Sequence, residues 1–175
     1  MALKLVMRWR NNMCCEVYRT VNGSHQVELP LSVITCLFDT CKKSRKKETG
    51  GILIGCYSSD LSKAHVHIAT TPPKGSIQTS NTFYRSNTGL QNVLNRSWTE
   101  DKYYIGEWHY HPRAAATPSH VDIAQMIQLS NNTDLKCPEP ILIIVGGNAQ
   151  KMYFGVYLFK NNALFSLKKC DGVTF

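Results

Sequence analysis

Apolar positions along this chain recur with two different periods, and the places where one period gives way to the other mark its elements. Leu3, Leu5, Met7 and Trp9 are spaced as on one face of a half-buried strand. Two further β-like runs, 15–21 and 25–29, flank Asn22-Gly23, a pair favoured in tight hairpin turns. From Ser32 the spacing turns helical, with Ile34, Leu37, Phe38 and Cys41 on one face. Just after Glu48, the run Gly51–Tyr57 reads as a buried strand. Residues 64–70 alternate as another strand before the turn-rich Thr71-Pro72-Pro73-Lys74-Gly75. Leu90, Val93, Leu94 and Ser97/Trp98 predict a second helix, and Tyr103 to His109 a further strand. A third helix is predicted to start with Thr117 as N-cap and Pro118 in the first helical position, where its missing N–H costs nothing. Val121, Ala124, Ile127 and Gln128 would continue along one face of it. Ile141–Val145 reads as a central strand, and 151–160 and 163–168 as strands that close the sheet. Strands and helices mix without regular alternation, which predicts an α+β domain with one mixed sheet and about three helices.

Composition narrows the class. A chain of 175 residues fits one domain, and 43% hydrophobic with 18% charged residues is globular. No internal repeat or Gly/Ser linker divides it. No apolar run approaches the ~20 residues that cross a membrane. The first residues hold too short an apolar stretch for an export signal, broken by Lys4, so a cytoplasmic protein is expected. Seven cysteines (14, 15, 36, 41, 56, 137 and 170) form no CxxC pair, which predicts reduced, mostly buried thiols that hold no zinc. The net charge is +8, much of it in Lys42-Lys43-Ser44-Arg45-Lys46-Lys47 after the first helix. Such a run complements a helix C-terminus or steers an acidic partner. It has no interleaved aromatics to stack on bases, which counts against nucleic acid.

The chemistry concentrates in Gly106-Glu107-Trp108-His109-Tyr110-His111-Pro112 and Thr117-Pro118-Ser119-His120-Val121-Asp122. Residues two apart on a strand share a face, so His109 and His111 can present imidazoles to one ion. Asp122 falls in the first turn of the following helix, with Ser119 three residues before it on the same face. Two imidazoles and a carboxylate form a catalytic kind of zinc set, with the fourth position left for water. Hydrolysis also needs a proton-transferring base and a donor for the developing oxyanion. Ser119 suits the donor. Glu107, on the face of the histidines, and Glu48, beside Gly50-Gly51, compete for the base. Those glycines would allow close backbone approach along a substrate-lined edge.

HxHP, then seven residues to a serine and three more to an aspartate, resembles the JAMM motif of the JAB/MPN metallopeptidases. Glu48-Thr49-Gly50-Gly51 is similar to the family's ExGG-type strand, and the resemblance spans 30–147. It implies a single JAB/MPN domain over 1–175 with a curved mixed sheet, and one Zn2+ per chain on His109, His111 and Asp122. It also implies acid/base chemistry at Glu48 and oxyanion stabilisation by Ser119. Glu107 would support a ligand or contact substrate. Gly106-Glu107-Trp108 departs from the aromatic pair of eukaryotic members and is similar to bacterial JAB peptidases. Together with Phe83-Tyr84-Arg85 and the helix through Trp98, it resembles JAB proteins of antiphage (CBASS) operons. That likeness implies deconjugation or precursor processing at the C-terminal tail of a ubiquitin-like protein or a cyclic nucleotide synthase, with an E1–E2-like ligase in the same pathway. A non-catalytic MPN scaffold would lack these residues. A DNA-associated JAB protein would carry Ser-Gly after HP, where this chain has Arg113-Ala114.

Other candidates read as structural. His65 and His67 should face solvent or a neighbouring strand, because Ala64, Val66 and Ile68 would face the core. His120 points away from the Ser119/Asp122 face, and His25 sits at a turn. Cys56 reads as a buried thiol, and Trp98 and Trp108 as core residues.

Overall fold

The computed structural model describes residues 15–170, so the strand expected from Leu3 to Trp9 lies outside the described residues. Strands β1 (Cys15–Arg19) and β2 (Gln26–Pro30) pair antiparallel across the Asn22-Gly23 turn, where Gly23 takes φ 70°. Helix α1 (Leu31–Ser44) follows, with Lys42 and Lys43 complementing its C-terminal dipole. Then come β3 (Thr49–Tyr57), β4 (Lys63–Ala69), and a small hairpin of β5 (Ile77–Gln78) and β6 (Phe83–Tyr84). Helix α2 (Leu90–Trp98) leads into β7 (Tyr103–Pro112), and α3 (His120–Asn131) into β8 (Ile141–Asn148). Strands β9 (Lys151–Lys160) and β10 (Ala163–Lys169) complete the chain as described.

The sheet order is β1-β10-β9-β8-β7-β3-β4-β2, closed into a barrel because β1 pairs with both β2 and β10. The pairs β2/β4 and β7/β8 are parallel and the rest antiparallel, so the expected α+β fold with one mixed sheet and three helices is present. Trp108, Tyr110, Ile141, Ile143 and Val145 face inward and share one cluster with Val33, Ile34, Leu37 and Cys41 of α1. The outer face is covered twice. Met126 of α3 packs on Leu142, Ile144, Tyr157 and Phe159, while Leu90 of α2 packs on Ile52 and Ile54.

Close backbone approach shapes the strands next to β7. A Cβ on Gly50 would lie 2.4 Å from the Trp108 carbonyl oxygen and 2.9 Å from the His109 ring. One on Gly51 would meet the Thr70 carbonyl at 2.3 Å. These glycines therefore do not line a substrate edge. Strand β3 is interior, between β4 and β7, and the glycines make room for its neighbours. Gly106 (φ 151°) sits at a register shift between β3 and β7, with its would-be Cβ 1.9 Å from the Ile141 carbonyl oxygen. This irregularity lets Tyr104 and Glu107, three apart, meet on the outer face, where regular alternation would separate them.

Several local expectations are corrected. The N-cap of α3 is Ser119, not Thr117, and Pro118 precedes the helix. A Ser-x-x-Asp capping box with Asp122 outcompetes the proline signal. The inward face of α3 is Asp122, Ile123, Met126 and Ile127, whereas Val121, Ala124 and Gln128 are exposed. Trp98 is 61% exposed, set edge-on to Tyr103 at 4.9 Å, while Trp108 is fully buried. Ala64 and Val66 are buried as expected, but a bulge after Ile54 puts Ala69 inside in place of Ile68. Among the described cysteines only Cys41 and Cys137 are buried. Cys36, Cys56 and Cys170 are half-buried and Cys15 is exposed.

Thr49 is fully buried, and its hydroxyl has no hydrogen-bond partner. Thr49→Val replaces that hydroxyl with a methyl group of the same shape. It is expected to stabilise the fold by about 1 kcal/mol, a rise of roughly 2–4 °C in Tm by thermal denaturation.

Candidate metal centre

Strand β7 is two-faced, with Trp108 and Tyr110 in the barrel core and Glu107, His109 and His111 on the outer face. His109 lies opposite Gly50 of β3 and Ile144 of β8, so both neighbours fix its backbone. After Pro112 the chain folds back over β8. Arg113 N–H donates to the Gly147 carbonyl (2.6 Å), Gly147 N–H to that of Ala114 (3.0 Å), and the Tyr157 hydroxyl to that of Ala116 (2.7 Å). A Cβ on Gly146 would collide with this loop at 2.5 Å, so the glycine is what lets the loop lie flat. These bonds set where α3 begins, and hence where Asp122 points.

Asp122 closes the site. One carboxylate oxygen lies 2.7 Å from His109 Nδ1, and the other lies 3.5 Å from His111 Nε2. The same second oxygen accepts from Ser119 N–H and from the Ser119 hydroxyl, both at 2.7 Å. Ligand atoms of His109, His111 and Asp122 all lie within 4.8 Å of one another, the one such trio among the described residues. Two neutral-capable imidazoles and a carboxylate converging this closely fit a divalent metal with a coordination position left over.

Glu48 directly precedes β3 on the side of Gly50 that meets the His109 ring. Its N–H donates to the Thr79 carbonyl at 2.7 Å, tying it to the β5–β6 hairpin. Burial and the Asp122 charge push its carboxyl above the usual range, against the pull of His109. Glu107 is almost fully buried. Its Oε1 accepts from Arg85 Nη2 (2.8 Å) and the Tyr104 hydroxyl (3.3 Å), and its Oε2 from Gln125 Nε2 (3.0 Å). His109 Nε2 lies 3.6 Å from Oε2. Burial would raise the Glu107 carboxyl, but His109 and Arg85 outweigh it and hold it below its usual value. The Phe83 ring stands edge-on to His109 at 5.8 Å.

Of the predicted site residues, His109, His111 and Asp122 converge on one point, Ser119 is bonded to Asp122, Glu107 faces His109, and Glu48 feels the charges of Asp122 and His109; Phe83, Arg85, Tyr104 and Gln125 are additions. Alternation across Phe83-Tyr84-Arg85 hints at two inward residues, yet nothing local to them indicates what they touch. The remaining candidates stay apart. His65 pairs with Glu28 at 2.9 Å on the neighbouring strand, and His67 lies 3.5 Å from Cys56 Sγ. Cys56 is at the far end of β3 from Thr49, and half-buried where a buried thiol was expected. His25 approaches the buried Glu139 at 3.6 Å, and His120 is exposed. In the basic run Lys42, Lys43, Arg45, Lys46 and Lys47 are all exposed at the end of α1.

Without metal, burial favours a neutral His109, but the hydrogen bonds and charges of Asp122 and Glu107 overcome it and push the ring up to about 9. Burial likewise opposes an ionised Asp122, yet His109 and Ser119 draw it down to about 2. His111 is lowered, chiefly by burial. At neutral pH a proton on His109 therefore occupies the place of a cation and has to leave when a metal binds. Apparent affinity for a divalent metal is expected to climb about tenfold per pH unit and level off near about 9, as measured by competition titrations. Metal-free stability has the opposite sign. The His109 contribution is complete below its usual 6.5 and lost above about 9, whereas that of Asp122 is present above 3.8 and lost towards about 2.

Residues 30–156 match the family described as prokaryotic homologs of the JAB domain. The chain is 40% identical over 129 residues to the CD-NTase/cGAS isopeptidase of Enterobacter hormaechei subsp. hoffmannii, covering 74% of this chain and 72% of that one. It is 25% identical over 126 residues to a probable metalloprotease, y4qB, of Sinorhizobium fredii, covering 70% and 76%. The solution structure of protein DSY2949 from Desulfitobacterium hafniense superposes with a TM-score of 0.55 at 15% identity, over 79% of this chain and 86% of that one, a likeness of fold alone. On a family match over most of its length and a relative this similar, the chain belongs to the prokaryotic homologs of the JAB domain.

Proposed function

We propose that this chain, acting as a single domain over 1–175, is a zinc-dependent isopeptidase. It hydrolyses the peptide or isopeptide bond at the C-terminal tail of a ubiquitin-like or otherwise conjugated protein. The observation that carries this reading is the convergence of His109, His111 and Asp122 on one point, with Glu48 across the strand pair. One zinc ion per chain, when bound there, would supply an acidified water at neutral pH. Glu48 would hold the proton released in that chemistry and return it to the leaving amine. Its raised pKa suits both directions of transfer, because a base works best near the ambient pH. Ser119 donates to the developing oxyanion. Its hydroxyl now points at Asp122 (2.7 Å), and rotating about one bond redirects it.

The name of one relative supports a substrate class. The 40% identical protein is named as an isopeptidase acting on CD-NTase/cGAS, so the proposed substrate is a conjugated cyclic nucleotide synthase of an antiphage CBASS system. An E1–E2-like ligase would form the bond that this enzyme breaks. A tail can approach along the free edges of the β5–β6 hairpin, since the main sheet closes on itself. The proposed location is the cytoplasm; among the described residues no helix is long and apolar enough to cross a membrane. A non-catalytic scaffold would have no use for the complete residue set, and Arg113-Ala114 after HP counts against the DNA-associated type.

Purified protein is expected to hold about one zinc per chain. Glu48→Ala should keep that zinc while losing at least ~100-fold in cleavage, the usual scale of a lost acid/base residue. The same variant serves as a trap, with captured proteins read by mass spectrometry. A ligase-processed tail supports the isopeptidase. Unmodified structural subunits would overturn it, and retained cleavage would move the role of base to Glu107.

A further inference from the structure

A carboxylate as deeply buried as Glu107, which is 1% exposed, is costly unless its oxygens are fully engaged. Here they are engaged by side chains from separate parts of the fold. Arg85 comes from the segment after β6, Tyr104 from β7 itself, and Gln125 from α3. The arrangement leaves one direction open. Glu107 Oε2 faces His109 Nε2 at 3.6 Å, while the opposite ring nitrogen, Nδ1, faces Asp122 at 2.7 Å.

An imidazole offers a metal only one nitrogen at a time, and the bond made by the other decides which. We infer that Arg85 and Glu107 form a positioning pair that turns His109 so that Nδ1 faces the metal, and that through this pair the β5–β6 hairpin is coupled to metal binding. The Glu107 anion faces Nε2 at 3.6 Å and favours the tautomer protonated there, which leaves the Nδ1 lone pair directed at Asp122 and His111. Arg85 holds Glu107 in place through their 2.8 Å ion pair, while Gln125 and Tyr104 fix the rotation of its carboxylate. The hairpin meets the same ring a second time through Phe83 and meets Glu48 through Thr79. Binding linkage is reciprocal. If the hairpin's Arg85 strengthens metal binding, then bound metal must stabilise the seated hairpin by the same factor. This inference rests on metal at the His109 trio and is independent of which bond the enzyme cuts.

The test uses the full chain with zinc, a chelator competition for affinity, and a lysine-specific protease that cuts after the exposed Lys74. Glu107→Gln keeps the shape and removes the charge; Arg85→Met removes the cation; Arg85→Lys is the conservative variant. Glu107→Gln and Arg85→Met are each expected to weaken zinc about 10–100-fold, the usual effect of losing a ligand's orienting partner. Arg85→Lys should recover most of that loss, which a purely structural role for the guanidinium would not predict. Zinc should slow cleavage after Lys74 in the wild type and not in Arg85→Met. If a single variant leaves a buried unpaired charge and unfolds, Arg85→Met/Glu107→Gln removes both charges together. Its metal-free Tm shows that the fold survives, and its zinc affinity should stay low. Wild-type zinc affinity in Glu107→Gln or in that double variant would overturn the inference while leaving the metal centre intact. Failure of the wild type to bind zinc would overturn the metal centre itself, and this inference with it.

Discussion

The carboxylate of Asp122 has to satisfy the start of a helix and two imidazoles at the same time. One oxygen closes the capping box of α3 through Ser119, and the other reaches His109. A cap of this kind is worth about 1 kcal/mol, so helix stability and site geometry depend on the same side-chain rotamer. The rest of the local fold follows from that constraint. Helix α3 must begin at Ser119 and turn Asp122 towards β7, which sends Ile123, Met126 and Ile127 onto β8 and β9. The loop before it must lie flat on Gly146. Moving the helix start by one residue would rotate Asp122 by about 100° and leave the histidines with no carboxylate.

Around that carboxylate, charges of opposite sign are stacked in a chain from Arg85 through Glu107 and His109 to Asp122. Each buried charge is tolerable because its neighbour has the opposite sign. In the metal-free protein a proton on His109 completes the pattern, so the site resembles a loaded one before any ion arrives. Barrel closure makes this possible. Strand β7 is held on both sides, by β3 and by parallel β8, which fixes the register of its outer face.

The order and type of the main-sheet strands and the three α-helices were legible in the sequence, because period-2 and period-3.6 spacing are local properties, whereas the two-residue strands of the β5–β6 hairpin are too short to show a period. The convergence of His109, His111 and Asp122 was legible too, since strand alternation and a first-turn aspartate place them without tertiary information. What escaped was decided by contacts between elements. The outward faces of Val121, Ala124 and Gln128 follow from where Asp122 must point, not from their own hydrophobicity. Trp98 is outside because α2 needs only Leu90 and Leu94 to cover Ile52 and Ile54. The bulge that exposes Ile68 and the irregularity at Gly106 each shift a register by one residue, which simple alternation cannot anticipate. Arg85 lies 22 residues from the carboxylate it binds, with nothing local to indicate the pairing.

Two glutamates flank His109; spacing alone left the role of base open between them, and only the family resemblance pointed to Glu48. Their environments separate them. Glu107 is shielded from solvent, clasped by a guanidinium and held below its usual pKa, so at working pH it is a fixed anion and a poor proton carrier. Glu48 keeps some solvent contact, has the negative Asp122 nearby and is raised, so its protonated and ionised forms lie closer in free energy. Carboxylates whose pKa values are pushed apart around one centre take different tasks. The anion that cannot easily change suits orienting a ligand; the one that can suits moving a proton. The division follows from neighbours that lie far off in the chain, Arg85 for one and Asp122 for the other. It is also why a glutamate sixty-one residues before His109 belongs to the same site.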